Sequence, residues 1–253
     1  MTARAQARRD RISAMVAARG EVGVDEIAEV VGASLETVRR DLTALQDAGV
    51  LLKVHGGAKR APGLIEGSFY ERMSQNRPGK EAIAGKLARW LQPDHMIFMD
   101  TGSTTLLAAE ALADQRSLRV VTNSLKIASS LAARKLGPDV FMLGGAVEGD
   151  NSETVGSATV TEIERFNADY AIITIGALNA DHGACDFSFE EAEVARAMTA
   201  RANRTVILAD CSKFGRRAAF RVRPLEEIDV LISDAPPGAA LGAALSQAGV
   251  QIL

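Results

Sequence analysis

The chain has 253 residues, a net charge of −3 and 47% apolar but only 4% aromatic residues, which suits a small domain followed by an α/β domain of about 190 residues with an aliphatic core. No apolar run approaches the roughly 18 residues of a membrane span, and the opening Met1-Thr-Ala-Arg-Ala-Gln-Ala-Arg-Arg lacks the apolar core of a signal peptide. Two cysteines, Cys185 and Cys211, make neither a disulfide framework nor a zinc site, so a cytoplasmic protein with no metal and no cofactor is expected.

Arg8, Arg9, Ile12, Met15 and Val16 predict a first helix with one apolar face. Val24, Ile27, Ala28 and Val31 predict a short second helix that ends at Gly32, and the turn Gly32-Ala33 leads directly into Ser34. Ser34 can cap a third helix by accepting from the free amides of its first turn. Leu35, Val38, Leu42 and Leu45 then recur at spacings of three, four and three, which assigns them to one buried face. Thr37, Arg39, Arg40 and Thr43 fall on the other faces. Helix, tight turn and helix at this separation form a helix-turn-helix, and hydroxyls with two guanidiniums suit major-groove reading. Glu36 and Arg40, four residues apart, also fit an ordinary solvated surface pair.

Val50-Leu-Leu-Lys-Val54 predicts a strand, His55-Gly56-Gly57 a hairpin turn that tolerates positive φ, and Ala58-Lys59-Arg60 the start of a return strand. A basic hairpin beside a helix-turn-helix is a wing, which places Lys53, Lys59 and Arg60 near DNA phosphates and the turn His55, Gly56 and Gly57 among the DNA-binding residues. Residues 1–60 carry ten Lys/Arg against eight Asp/Glu, while the remainder carries nineteen against twenty-four. A mildly basic head on an acidic body fits paired heads on double-stranded operator DNA, not a coat along nucleic acid.

Residues 61–79, with Pro62, Gly63, Gly67, Pro78 and Gly79, read as a connecting segment. From Lys80 the pattern alternates. Helices are expected over 82–91, 104–113 and 124–135. Strands are expected over 95–100, 118–122, 140–143, 170–175, 205–209 and 230–233. Such alternation predicts a mainly parallel, Rossmann-like sheet with helices on both faces, whose ligands bind where strand ends meet helix starts.

At one such end stands Asp100-Thr101-Gly102-Ser103-Thr104-Thr105. Gly102 permits close backbone approach, and free amides with three hydroxyls can bind a phosphate at the positive helix end. An N-capped turn of no function uses the same residue types. No Gly-Lys pair completes a Walker motif. Asn123, Gly144-Gly145 and Lys213 follow other predicted strands and can converge on the same crevice; a cap, a tight turn and a surface lysine are the plain alternatives.

Taken together, Val38-Arg39-Arg40-Asp41-Leu42, His55-Gly56-Gly57-Ala58, Glu71-Arg72, Asp100 to Thr105, Thr122-Asn-Ser124, Gly144-Gly145, Glu191-Ala-Glu-Val194 and Asp210 to Gly215 resemble the DeoR family of transcriptional regulators along nearly the full length. The resemblance implies a winged helix-turn-helix over 1–60 and, over 80–253, an effector-sensing domain resembling ribose-5-phosphate isomerase. It implies a homo-oligomeric repressor of carbohydrate genes, controlled by a phosphorylated sugar or derivative. Gly102, Ser103, Thr104 and Lys213 would hold the phosphate, with Asp100, Asn123 and Glu193 near the sugar. The family usually has lysine where this chain has Ala195. An isomerase is the rival reading, since that reaction needs a carboxylate base. The matching carboxylate positions are the apolar Ile175 and Leu178, and His182 reads as a turn residue, so binding without catalysis is expected.

Overall fold

A computed structural model describes residues 3–47, 50–54, 56–59 and 67–253. His55, Arg60 and residues 61–66 of the expected connecting segment lie outside the described residues. The chain divides into two compact units, residues 1–66 with 217–219 and residues 67–216 with 220–253.

The first unit contains α1 (Ala3–Arg19), β1 (Glu21–Gly23), α2 (Val24–Val31), α3 (Leu35–Asp47), β2 (Leu52–Val54) and β3 (Gly57–Lys59). The apolar faces of its helices meet in one core, in which Ile12, Val16, Ile27, Val38, Leu42 and Leu45 are buried. Leu35, expected on that face, is 38% exposed, because it occupies the first position of α3 beyond the reach of the core. Gly32 ends α2 at φ +64, where its N–H reaches the Ala28 and Glu29 carbonyls; only glycine adopts this conformation without strain. Ser34 caps α3, its Oγ accepting the Thr37 N–H at 3.3 Å. The wing strands pair antiparallel, and β1, a strand with too few residues to show a period, adds to the far side of β3.

The second unit opens with α4 (Phe69–Ser74) and α5 (Arg77–Trp90), so helix begins ahead of residue 80, inside the expected connecting segment. There follow β4 (Met96–Met99), α6 (Ser103–Ala111), β5 (Arg119–Thr122), α7 (Leu125–Ala132), β6 (Asp139–Met142), β7 (Ala146–Glu148), β8 (Glu153–Val155) and α8 (Ser157–Ile163). The chain continues through β9 (Ala168–Thr174), β10 (Ala177–Asn179), β11 (Gly183–Asp186), α9 (Phe189–Ala200), β12 (Ala202–Leu208), β13 (Phe220–Arg223), β14 (Val230–Ile232), α10 (Ala239–Gln247) and β15 (Gln251–Ile252).

Seven of these strands form one sheet in the order β15-β14-β12-β9-β4-β5-β6, every neighbouring pair parallel. Side chains on a strand alternate between faces, and the alternation sorts the core in two. Ile97, Met99, Val120, Ile172, Val206 and Leu208 pack with α5, α6 and α7. Phe98, Val121, Ala171, Ile173 and Ile207 face the layer holding Ile163, Met198 and Leu245. The expected Rossmann-like sheet with helices on both faces is therefore present. Two small accessory sheets, the β7–β8 hairpin and β10-β11-β13, stand apart from it. Among the described residues no helix is long and apolar enough to cross a membrane.

Candidate functional site

On the first unit, α3 presents Arg39, Arg40 and Thr43 to solvent, with Thr37 half-buried. Thr43 Oγ1 donates to the Arg39 carbonyl at 2.9 Å and accepts from Lys53 Nζ at 3.2 Å, tying helix to wing. Arg39, Lys53, Gly56 and Gly57 line a cleft of about 350 Å³ between the two. Lys59 is exposed on β3. Arg40 Nη2 also reaches Glu36 Oε1 at 3.3 Å, the surface pair that spacing allowed. The sequence reading gave Asp41 no role of its own. This residue is 2% exposed and accepts Arg8 Nε at 2.6 Å and Arg9 Nε at 2.9 Å, clamping α1 to α3.

On the second unit, the carboxyl ends of β4, β5, β9 and β12 lie side by side and bring together most of the residues singled out in the sequence. Asp100 follows β4 and accepts the Thr174 N–H on both oxygens, at 3.1 and 3.0 Å. Burial pushes its carboxyl well above the ordinary value. The Thr174 hydrogen bond opposes that shift, and the nearby charges of Asp186 and Glu153 add to it. Thr101, Ser103, Thr104 and Thr105 are all buried. Gly102 is required by close approach, because a Cβ there would run into the Thr174 methyl group. It precedes α6, whose first-turn amides have no intrahelical acceptors. Asn123 lies one step past the Met99–Thr122 pairing of β4 and β5, beside Asp100.

Three functional groups at this end were not assigned from sequence. Lys80, 3% exposed, donates from Nζ to Ser103 Oγ at 3.0 Å and to the Arg72 carbonyl. Its position was legible in principle, since it shares the buried register of α5 with Ile83, Ala84 and Leu87. Arg72 is buried on α4 and donates to Asn151 Oδ1. Glu153 on β8 is 1% exposed, and burial pushes its carboxyl up to about 7 against hydrogen bonds from Asn151 and Asn123. No sequence period marks Arg72 or Glu153, whose partners are remote along the chain.

Other expected residues sit differently. Lys213 stands on a single 3-10 turn, Cys211–Lys213, whose start is capped by Asp210 Oδ1 accepting the Ser212 N–H at 3.0 Å. Glu193 pairs with Arg196 on its own helix, Arg196 Nε donating at 2.9 Å, and it is Glu191 that accepts from Asn151 Nδ2, at 2.9 Å. Gly144 and Gly145 line a separate depression of about 450 Å³ with Ser157, Thr161 and Arg165. Ala195 belongs to the apolar core, as do Ile175 and Leu178. An ammonium, several hydroxyls and a helix N-terminus around one buried loop can hold a dianion, and the carboxylates and amides beside it can order hydroxyl groups.

Two family models cover the chain: residues 8–62 match a DeoR-like helix-turn-helix domain and residues 75–235 a DeoR C terminal sensor domain. The HTH-type transcriptional repressor CsqR of Escherichia coli K12 is 31% identical over 97% of this chain and 94% of its own length. The glycerol-3-phosphate regulon repressor of the same organism is 29% identical over 97% of each. A ribose 5-phosphate isomerase A from Methanocaldococcus jannaschii superposes with a TM-score of 0.41 at 14% identity, over 55% of each chain, a likeness too distant to bear on function. With a helix-turn-helix model on one unit, a sensor model on the other and relatives matched along nearly their whole length, the chain belongs to the DeoR family of transcriptional regulators.

Proposed function

We propose that this repressor grips paired half-sites of operator DNA through Ser34, Thr37, Arg39, Arg40 and Thr43, with Lys53, His55, Gly56, Gly57, Lys59 and Arg60 on the backbone, and that a phosphorylated polyhydroxyl compound in the strand-end crevice sets its DNA affinity. The observation that carries the effector reading is Lys80: a lysine ammonium buried against Ser103 at the N-terminus of α6. A phosphate there meets Lys80, Lys213, the amides after Gly102 and the hydroxyls of Ser103 and Thr104. Asp100 and Asn123 then face the hydroxylated end. The relative named for the glycerol-3-phosphate regulon supports the same ligand class.

The crevice binds without turnover in this reading. Aldose–ketose isomerisation needs a carboxylate at the positions here filled by Ile175 and Leu178, 1% and 0% exposed. The protein works in the cytoplasm as a homodimer or tetramer, since two heads are needed for two half-sites. An effector acts only through unequal affinity for DNA-competent and incompetent arrangements. Fluorescence anisotropy on promoter DNA at fixed salt, with a panel of sugar and polyol phosphates, tests the whole reading. Specific binding altered by one phosphorylated compound is the expected result. Specific binding indifferent to every phosphate would discard the crevice as the control site, and sugar-phosphate turnover would make the protein an enzyme.

A further inference from the structure

Asn123, 1% exposed, spends its amide nitrogen inward: Nδ2 donates to Glu153 Oε2 at 3.1 Å and to the Thr154 carbonyl at 3.0 Å. Its Oδ1 is buried with no hydrogen-bond partner. Thr101 Oγ1, past the neighbouring strand end, is likewise buried and unpartnered. The Asn123 oxygen is an acceptor for a missing donor, while the Thr101 hydroxyl can donate or accept.

The Asn123 amide nitrogen is held by two acceptors, the Thr154 carbonyl and Glu153, and the second is itself oriented from a distance. Arg72 can only donate, so Asn151 turns its Oδ1 toward Arg72 Nη2. Asn151 Nδ2 then faces Glu153 Oε1 at 2.8 Å. A carboxylate can only accept, so Glu153 Oε2 takes the Asn123 nitrogen and leaves the Asn123 oxygen outward. Guanidinium, amide, carboxylate and amide form a polarised relay with one permitted sense.

We propose that Glu153 is the positioning residue that decides what the effector crevice accepts: it aims Asn123 Oδ1 at the ligand as an acceptor, and so selects phosphorylated compounds bearing a hydroxyl there over those bearing a carboxylate. A hydroxyl donates to the orphan oxygen. A carboxylate brings no donor, and it meets the buried carboxyls of Asp100, Glu153 and Asp186, which lie close enough to repel one another. The inference rests on reading the strand-end crevice as the effector site.

The test is calorimetric titration of the full-length protein with two matched pairs, glycerol 3-phosphate against 3-phosphoglycerate and D-glucitol 6-phosphate against 6-phosphogluconate, each referred to inorganic phosphate. Within at least one pair the wild-type protein should bind the alcohol at least tenfold more tightly than the acid. In Glu153→Gln the new amide must turn its oxygen to Asn151 and its nitrogen to Asn123. That sets two nitrogens against each other while the Thr154 carbonyl still accepts from Asn123 Nδ2, so the Asn123 amide no longer has one favoured sense and the preference should collapse to within twofold. A purely structural role for Glu153 would weaken both members equally and keep their ratio.

A second readout needs no variant. Glu153 feels the charges of Arg72 on α4, Lys126 on α7, Asp100 just past β4 and Glu148 on β7, and burial pushes its carboxyl up to about 7. The relay requires the ionised form, so the alcohol-to-acid ratio should be full above pH 7 and decline below it. Taking the ratio cancels the titration of the phosphates themselves. A ratio that is flat with pH and unchanged in Glu153→Gln overturns the proposal, as does a wild-type protein that prefers neither alcohol. Failure to bind inorganic phosphate and all four compounds would instead overturn the crevice as the effector site.

Discussion

Asp41 shows how one side chain serves a surface it never touches. Burial alone would raise its carboxyl, but hydrogen bonds from Arg8 and Arg9 and their charges outweigh that and hold it below the ordinary value of 3.8. A lowered folded pKa contributes stability that is present above 3.8 and lost as pH falls through the folded value. Asp41→Asn should therefore cost the head about 1–3 kcal/mol at pH 7, read by denaturant unfolding, and the gap to wild type should close in acid; a gap constant with pH would deny the ion pairs their role. Arg40 is the opposite case. Its exposed pair with Glu36 contributes about 0.3–0.5 kcal/mol, so Arg40→Ala should barely move the melting temperature while weakening operator binding by about 1–3 kcal/mol; equal losses in both would make Arg40 structural. Gly102→Ala forces a methyl into Thr174. Overpacking of this kind costs about 1–3 kcal/mol, and the variant should keep operator binding but lose its response to effector, as measured by anisotropy.

At the level of elements, the proposed DNA contact assigns charge to the wing and base reading to the third helix. Lys53 and Lys59 are exposed on its two strands, so the double change to Ala should reduce the slope of log affinity against log salt by about 2, uniformly across DNA sequences; a sequence-dependent loss would move these lysines into a groove. The legibility of elements followed the same division between repeated and singular residues. Helix α3 was readable because Val38, Leu42 and Leu45 repeat at helical spacing and are all buried. The central strands were readable as short aliphatic runs such as Ile172-Ile173 and Val206-Ile207-Leu208, buried on both faces. Strands β7 and β8 were not: Ala146, Val147 and Glu148 are all exposed while Glu153, Thr154 and Val155 are all buried, so neither alternates. The same limit governs the crevice. The loop from Asp100 to Thr105 is contiguous and announces itself, whereas the Arg72–Asn151–Glu153–Asn123 relay joins residues from α4, the hairpin and β5 through single hydrogen bonds that leave no period in the chain.

For the whole molecule, control of DNA by effector is a coupling between two sites, and coupling is reciprocal. An effector that lowers operator affinity tenfold does so with about 1.4 kcal/mol, and saturating operator must then weaken the effector tenfold in return. Titrating effector into free and operator-bound protein measures this directly, and an unchanged effector affinity would leave the two units energetically independent. The arrangement of the crevice adds a consequence for how such a protein diversifies. Asp100 to Thr105 and Lys80 belong to the seven-stranded sheet and its helices, but Asn151 and Glu153 arrive on a two-stranded ribbon that shares no ladder with that sheet. The ribbon leans on the edge of that sheet through backbone bonds, Thr154 N–H to the Asn123 carbonyl at 2.8 Å and Leu125 N–H to the Ser152 carbonyl at 2.9 Å, so its side chains can be varied while those bonds hold it in place. A lineage, or a laboratory library confined to residues 146–155, can thereby exchange one metabolite for another while promoter choice stays fixed, which makes this fold a natural chassis for custom biosensors.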